Sequence, residues 1–267
     1  LPELPEVQTV LNGLEAALEG RTLETLECYY PGTVIKDPSL DFDPLPAKPI
    51  AFLRRGKYML IELDSAATLI IHLRMTGKLV AAEMDREPLP HERARFYLDA
   101  GKLLHFIDIR TFGKIVLCKT ENIANYLPDL GLEPLSADFT AAALAERIKN
   151  KKAPVKTVLL DQSIVAGLGN IYVCELLYRA DIDPCVSAKD LKPKQIKAIV
   201  RETIAVLNEA IARGGTSVSD FRRIDDKTGE FQHFLQVYQK PQCPKGHEVR
   251  RIVQAGRSTF YCPVCQK

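Results

Sequence analysis

Four residues near the C-terminal end have the types and spacing of a metal site. They read Cys243-Pro-Lys-Gly-His247, fourteen intervening residues, then Cys262-Pro-Val-Cys265. Zn²⁺ takes four tetrahedral nitrogen or sulfur ligands, and two short turns joined by a hairpin-sized segment can supply them. Four protein ligands leave no open position, so the expected role is structural, with one zinc. The competing reading is a surface disulfide beside a stray cysteine and histidine. The same stretch, 241–267, carries Lys245, Arg250, Arg251, Arg257 and Lys267 against one acid, Glu248, and a second basic cluster falls at Arg147, Lys149, Lys151, Lys152 and Lys156. Net charge is only +2 and the pI about 8.1. A mild total with local basic patches suits a protein that grips a polyanion with one face. At the other end stands Leu1-Pro2-Glu3-Leu4-Pro5-Glu6-Val7. Read alone, this is a helix start with acids at the positive end of the dipole.

Elements must position these groups. The 267 residues and 29.8 kDa hold one large domain or two modest ones, with a core that needs no disulfide staples. Val7, Val10, Leu11, Leu14 and Leu18 recur at helical spacing, and Gly20 is a plausible stop. Residues 22–30, 57–63, 68–73, 79–82, 103–109 and 114–118 are short runs rich in Val, Ile, Leu and Tyr, and predict strands of a β-sandwich or barrel. The texture turns helical beyond 134, over 141–149, 155–162, 172–180 and 192–213. Strands followed by helices predict an α+β chain, with divisions at 1–134, 135–240 and 241–267. The polar stretch 216–230 lacks apolar periodicity, and a loop of that length is usually functional or mobile. Of seven cysteines, Cys28, Cys118, Cys174 and Cys185 lie in apolar stretches and read as small core residues in a reducing compartment. No apolar run of membrane-spanning length and no signal peptide is visible. The expectation is a soluble cytoplasmic protein with no membrane partner.

Further strings sharpen this reading. Arg54-Arg55-Gly56-Lys57-Tyr58, His72-Leu73-Arg74-Met75-Thr76-Gly77, Asp108-Ile109-Arg110-Thr111-Phe112-Gly113, the run from Asp161 through Gly167 and Gly169 to Asn170-Ile171-Tyr172, and Ala255-Gly256-Arg257-Ser258-Thr259 follow Pro2-Glu3-Leu4-Pro5-Glu6 in order. Together with the cysteine cluster they resemble the bacterial formamidopyrimidine-DNA glycosylases over essentially the whole chain. The resemblance implies an N-terminal β-sandwich catalytic domain with a leading helix, a helical domain with a helix–two-turn–helix DNA-binding element, and a C-terminal zinc-finger β-hairpin. With six strings in register rather than one, it implies a DNA-repair enzyme that removes oxidised purines (8-oxoguanine and formamidopyrimidines) and cuts the strand by β,δ-elimination. The amine of Pro2 would be the nucleophile, which splits one hard step into easier ones. Glu3 would be the acid–base carboxylate, and Lys57 would sit near DNA phosphate at the lesion. Met75, Arg110 and Phe112 would fill the hole left by the everted base; read in isolation, Met75 is core and Phe112 a packed aromatic. His72, Lys156, Asn170 and Arg257 would contact DNA, with Arg257 also part of the catalytic set. The loop 216–230 would close over the base, with Ser217, Ser219 and Arg222 as candidate contacts. The partner would be double-stranded DNA with oxidised bases or abasic sites, and the protein a monomer working at the nucleoid.

Three departures qualify the resemblance. Residue 1 is leucine, and Pro2 is nucleophilic only as a free amine, because an amide lone pair is delocalised; Leu1 is expected to stand for an initiator residue that is removed. If it is retained, the chain is a catalytically inactive DNA-binding relative. The first metal pair is Cys-x₃-His where two cysteines are usual, and His247 is expected to replace the cysteine. Gln8 stands where glutamate is common. The rival enzyme class is the endonuclease VIII-like glycosylases, which prefer oxidised pyrimidines; Met75, the Arg110 and Phe112 pair and the long 216–230 loop favour the purine enzyme.

Overall fold

A computed structural model describes residues 2–83, 87, 89–217 and 221–267. Helix α1 (Leu4–Leu18) forms where apolar residues recur every three or four positions, and Val7, Val10, Leu11, Leu14 and Leu18 are all buried. At its start the Glu3 backbone N–H donates to the Glu6 carboxylate at 2.9 Å, so one orphan donor of the first turn is satisfied from within the helix.

The chain then lays down β1 (Leu23–Cys28), β2 (Val34–Lys36), β3 (Pro49–Arg55), β4 (Tyr58–Leu63), β5 (Ala67–His72), β6 (Lys78–Glu83), β7 (Glu92–Leu98), β8 (Lys102–Ile107) and β9 (Lys114–Lys119). They form a four-stranded sheet in the order β1-β7-β8-β6 and a five-stranded sheet in the order β2-β9-β5-β4-β3. The sheets sandwich one core, in which α1 packs with Met59, Ile61, Leu69, Ile71, Phe96, Leu104, Phe106 and Leu117. The alternate residues Leu60, Ile70, Val116 and Cys118 point to the opposite face, where Ile123, Tyr126 and Leu127 cover them. A sheet buried on both faces explains why β4, β5 and β9 read as continuous apolar runs.

The second unit holds α2 (Ala141–Ile148), α3 (Val155–Leu159), α4 (Asn170–Arg179) and α5 (Pro193–Ala212), with α5 packed on α2 and α4. The hairpin of β10 (Arg250–Gln254) and β11 (Arg257–Tyr261) follows. Its two-residue turn, Ala255-Gly256, has φ of 47° and 73°, the sign at both centres that matches hairpin twist. Among the described residues no helix is long and apolar enough to cross a membrane.

The α+β class, the leading helix, the sandwich, the helical region and the terminal hairpin are as expected. Three strands were not anticipated. β2 is a three-residue edge strand; β3 opens on Pro49 and ends on Arg54-Arg55; β7 carries Glu92, Arg93 and Arg95. In β7 those charges are paired within the protein: Arg95 donates to Glu92 at 2.8 Å through both Nε and NH2, and His105 Nδ1 lies 2.6 Å from the same carboxylate. Two of the four scattered cysteines are not core residues. Cys118 and Cys174 are buried, but Cys28 and Cys185 are exposed, one at the end of an edge strand and one in a loop.

Two compact units emerge, Leu1–Pro128 with Gly214–Glu230, and Asp129–Arg213 with Phe231–Lys267. The loop that the sequence places beside the helices therefore belongs with the sandwich. Phe221 joins the sandwich core, Ile224 packs against it, and the Ala81 N–H donates to the Ile224 carbonyl at 3.2 Å.

Candidate functional site

In the sandwich unit, Pro2 and Glu3 are buried at the head of α1. Glu6, one turn on and 2% exposed, uses one carboxylate oxygen for the Glu3 N–H and the other for the Thr216 N–H at 2.7 Å. A single side chain thus ties the start of α1 to the base of the long loop. Gln8 accepts from Arg54 Nε at 2.9 Å, and Arg54 NH1 donates to the Gly56 carbonyl at 3.0 Å. This fixes the β3–β4 turn, which presents half-buried Lys57.

His72 lies beside that turn. Its ring meets the Tyr58 ring edge-on at 4.4 Å, and its Nδ1 accepts from the Arg74 N–H at 2.9 Å. Burial, and then the positive charges of Arg74 and Lys57, pull the imidazole down to about 3. His72 is therefore neutral near pH 7, with its proton on Nε2, where it can donate to an anion.

Met75, Ile109 and Phe112 are 38%, 57% and 50% exposed, and the Arg110 guanidinium lies 5.0 Å over the Phe112 ring. Neither Met75 nor Phe112 is a core residue, as each would be on an isolated reading. Exposed apolar side chains concentrated on two adjoining turns, with an arginine stacked among them, are the composition of a wedge for stacked bases. In the long loop, Ser217 Oγ donates to the Phe221 carbonyl at 3.1 Å and Arg222 NH1 to the same carbonyl at 2.8 Å. Ser219 lies outside the described residues, as does Leu1.

In the helical unit, Lys156 is fully buried on α3 and so does not join the exposed lysines that precede it in sequence. Gln162 builds the connector from α3 to α4, donating to the carbonyls of Leu160 and Leu168 and accepting from the Gly167 N–H at 3.0 Å. Asn170 opens α4, and its Nδ2 donates to the Ser258 carbonyl at 2.8 Å. That contact holds the helix start against the hairpin beside exposed Arg257.

The ligand atoms of Cys243, His247, Cys262 and Cys265 all lie within 4.8 Å of one another. His247 Nδ1 is 3.3 Å from Cys265 Sγ and 3.7 Å from Cys243 Sγ. Zinc bonds of roughly 2.0–2.3 Å at tetrahedral angles place ligand pairs roughly 3.3–3.8 Å apart, so the set fits the ion. The turn between Cys243 and His247 closes with the Gly246 N–H donating to the Cys243 carbonyl at 2.8 Å, with Gly246 at φ 80°. Burial opposes charge on the Cys243 thiol, yet donors from the His247 and Lys245 backbone and the Tyr178 hydroxyl outweigh it and bring the thiol down to about 6. The thiolate is the ligand form.

Several organising residues escaped the sequence reading. The Glu175 carboxylate, fully buried on α4, accepts from the N–H groups of Gln236, Val237 and Tyr238 at 2.8–3.0 Å. Burial pushes its pKa up, and those three donors pull the other way. The available signal was one acid inside an otherwise uncharged run, Tyr172–Tyr178, because a buried carboxylate must be partnered. Asp108, 1% exposed, and Thr76 join the two wedge turns.

Residues 1–115 match the family profile described as formamidopyrimidine-DNA glycosylase N-terminal domain. Residues 130–222 match the formamidopyrimidine-DNA glycosylase H2TH domain, and 246–267 a zinc finger found in FPG and IleRS. The chain is 42% identical over 289 residues to the formamidopyrimidine-DNA glycosylase of Paracoccus denitrificans, covering 100% of both. It is 41% identical over 275 residues to that of Pelotomaculum thermopropionicum, covering 100% of this chain and 99% of the relative. Among solved structures it resembles a complex of Lactococcus lactis Fpg with an abasic site containing DNA (TM-score 0.89, 35% identity, 99% of each chain). A Lactococcus lactis FPG mutant with a Fapy-dG containing DNA gives a TM-score of 0.91 at 35% identity over 100% of each chain. The zinc-finger match and the four-ligand cluster assign one structural zinc. With full-length relatives above 40% identity and profile matches across both units, the chain belongs to the formamidopyrimidine-DNA glycosylase family.

Proposed function

We propose that this chain is a bifunctional DNA glycosylase and abasic-site lyase that excises oxidised purines, 8-oxoguanine and formamidopyrimidines, from double-stranded DNA. The observation that carries the reading is the wedge: Met75, Arg110 and Phe112 exposed together on two turns of the sandwich. An enzyme that works on a base must evert it and fill the gap. The Lactococcus lactis structures with abasic and Fapy-dG DNA support the same partner here.

In this reading the Pro2 amine attacks C1′ of the damaged nucleotide and the base leaves with its glycosidic electron pair. The resulting iminium acidifies the C2′ proton, so loss of that proton expels the 3′ phosphate, and a second elimination expels the 5′ phosphate. Glu3 protonates the opening ring oxygen. Lys57, neutral His72, Asn170 and Arg257 hold backbone phosphates, Lys156, fully buried on α3, is not counted among them, and residues 216–230 close over the base with Ser217, Ser219 and Arg222 as candidate contacts. By these roles the chain divides into a catalytic part, 1–134 together with 214–230, a DNA-binding part over the rest of 135–240, and a zinc finger 241–267. The enzyme acts as a monomer at the nucleoid.

Borohydride trapping tests the reading. Protein beginning at Pro2 is expected to form a stable adduct with 8-oxoguanine or abasic DNA, mapped by peptide analysis to Pro2. The α-amine ionises near roughly pH 8 and lysine near roughly 10.4, so Pro2 is the better nucleophile at neutral pH. An adduct on Lys57, or efficient trapping by protein that retains Leu1, overturns the proline mechanism.

A further inference from the structure

The wedge comes from two separate loops. Residues 73–77 follow β5 and carry Met75; residues 108–113 follow β8 and carry Arg110 and Phe112. One buried carboxylate organises both. Asp108 Oδ2 accepts from the Gly113 N–H at 2.7 Å, which closes its own turn. Its Oδ1 accepts from the Arg110 N–H at 3.2 Å and from Thr76 Oγ1 at 2.5 Å, which reaches across to the other loop. The Thr76 hydroxyl in turn accepts from the Arg110 N–H at 3.1 Å. The Asp108 backbone is held as well, by Arg93 Nε at 2.7 Å on its carbonyl and by donation to the His91 carbonyl at 3.0 Å.

Both loops are conformationally demanding. Arg74 and Thr111 sit at φ of 54° and 61°, a region that side chains other than glycine rarely adopt. A Cβ on Gly113 would lie 2.5 Å from the Phe106 ring and 3.1 Å from Asp108 Oδ2, so this turn has no room for another residue. Strained backbone persists only where its surroundings over-determine it: at Thr111 these are the Asp108 bonds to the flanking Arg110 and Gly113 N–H groups, and at Arg74 the bond from its N–H to His72 Nδ1. In this network the two loops are coupled through the Thr76 hydroxyl, which donates to Asp108 and accepts from the Arg110 N–H.

On the basis of the proposed function, we infer that Asp108, acting through the Thr76 hydroxyl, is a positioning residue for base eversion that locks the Met75 loop and the Arg110–Phe112 loop into one rigid wedge. A wedge ordered in advance loses no conformational freedom when it enters the stack. The lock also fixes the Arg110 backbone, and through it the guanidinium that faces the orphaned base. It therefore governs eversion and opposite-base discrimination, and leaves the chemistry at C1′ untouched.

The test uses Thr76→Val, Thr76→Ser and Asp108→Asn with full-length protein processed to Pro2. Three readouts are taken: brightening of 2-aminopurine placed beside the lesion, single-turnover excision of 8-oxoguanine opposite each of the four bases, and cleavage of a preformed abasic site. Thr76→Val removes the cross-link at nearly constant volume. It is expected to slow brightening and excision about tenfold, the scale of a hydrogen bond to a charged group, and to compress the spread among opposite bases. Abasic cleavage, which has no base to evert, stays within about twofold. Thr76→Ser restores the wild-type pattern, and Asp108→Asn shows a larger loss because its amide nitrogen or the Gly113 N–H is left without an acceptor. Wild-type brightening and discrimination in Thr76→Val, or an equal loss of abasic cleavage, overturns the inference. Wild-type protein that brightens the probe without excising overturns the proposed chemistry and leaves the wedge assignment standing.

Discussion

The sandwich unit and the helical unit each present an exposed arginine on a tight turn, and each holds that turn by a different means. Arg110 sits on a turn closed by the buried Asp108 carboxylate and seated on a nine-stranded core. Arg257 follows the turn of a two-stranded hairpin whose outer positions, Arg250, Arg251 and Val253, are exposed. A lone two-stranded hairpin is marginal in water, and its own cross-strand side-chain bonds, Arg251 Nε to Ser258 Oγ at 3.0 Å and Thr259 Oγ1 to Gln254 Oε1 at 2.8 Å, do not replace a core. The hairpin is instead tethered at its base by four metal ligands, at its strand by Asn170, and through the 236–238 backbone by Glu175. A turn on a large core can be set by one side chain; a turn without one needs a metal and a docking helix.

That contrast is open to attack at several points. Removing zinc with a chelator is expected to give the largest effect, because the binding free energy of such sites, on the order of 10–16 kcal/mol, is folding free energy. DNA affinity should collapse, while far-UV dichroism of the sandwich persists. Full affinity in a metal-free preparation would dismiss the metal's role. His247→Ala, which leaves three ligands, should lower zinc retention under mild chelation. Next is Glu175→Ala, which strands three backbone donors. It should destabilise the helical unit by about 3 kcal/mol, read as an earlier urea midpoint for that unit alone. An unchanged midpoint would show that 236–238 is held otherwise.

Arg257→Ala should weaken binding to damaged and undamaged duplexes alike and reduce the salt slope by about 0.9. A loss confined to one lesion would mean that Arg257 reads the base. The smallest effect concerns His72. Its pKa is lowered in the folded state to about 3, against roughly 6.5 in an unfolded chain. Between those values the unfolded chain binds the proton that the folded one refuses, so this group makes stability rise with pH from about 3 to about 6.5 and contributes no slope above. By NMR its ring should show no titration from pH 8 to 5; a midpoint near 6 would contradict the half-buried, neutral imidazole.

Much of this was legible in residue order. Helix α1 announces itself because one face carries all its large apolar residues, Leu4, Val7, Val10, Leu11, Leu14 and Leu18, and the metal site because soft ligands cluster at fixed spacing. Strand β7 was hidden because Glu92 and Arg95 look like solvated charges until the pairing of β7 with β8 brings His105 to them. Residues 216–230 looked like part of the helical region because they follow α5, and only tertiary packing of Phe221 and Ile224 moves them to the sandwich. What Asp108 and Glu175 organise was hidden because most of their partners are backbone N–H groups, which carry no sequence signature; only the lone acid in the Tyr172–Tyr178 run hinted that Glu175 must be partnered.

The neck of the long loop has an engineering consequence. The Gly229 N–H donates to Ser217 Oγ at 2.9 Å, and a Cβ at Gly229 would lie 2.2 Å from the Gly215 carbonyl oxygen. The segment therefore leaves and re-enters the sandwich at nearly one point, so its closure does not depend on the length of chain in between. Loop-closure cost grows only logarithmically with length, and a joined neck has already met most of it. Within the segment Phe221 lies in the sandwich core and Ile224 packs against it, so the exchangeable stretch is 225–228. Segments of other lengths and compositions can be grafted between Ile224 and Gly229, with the scaffold's melting temperature as the control that the graft has stayed local.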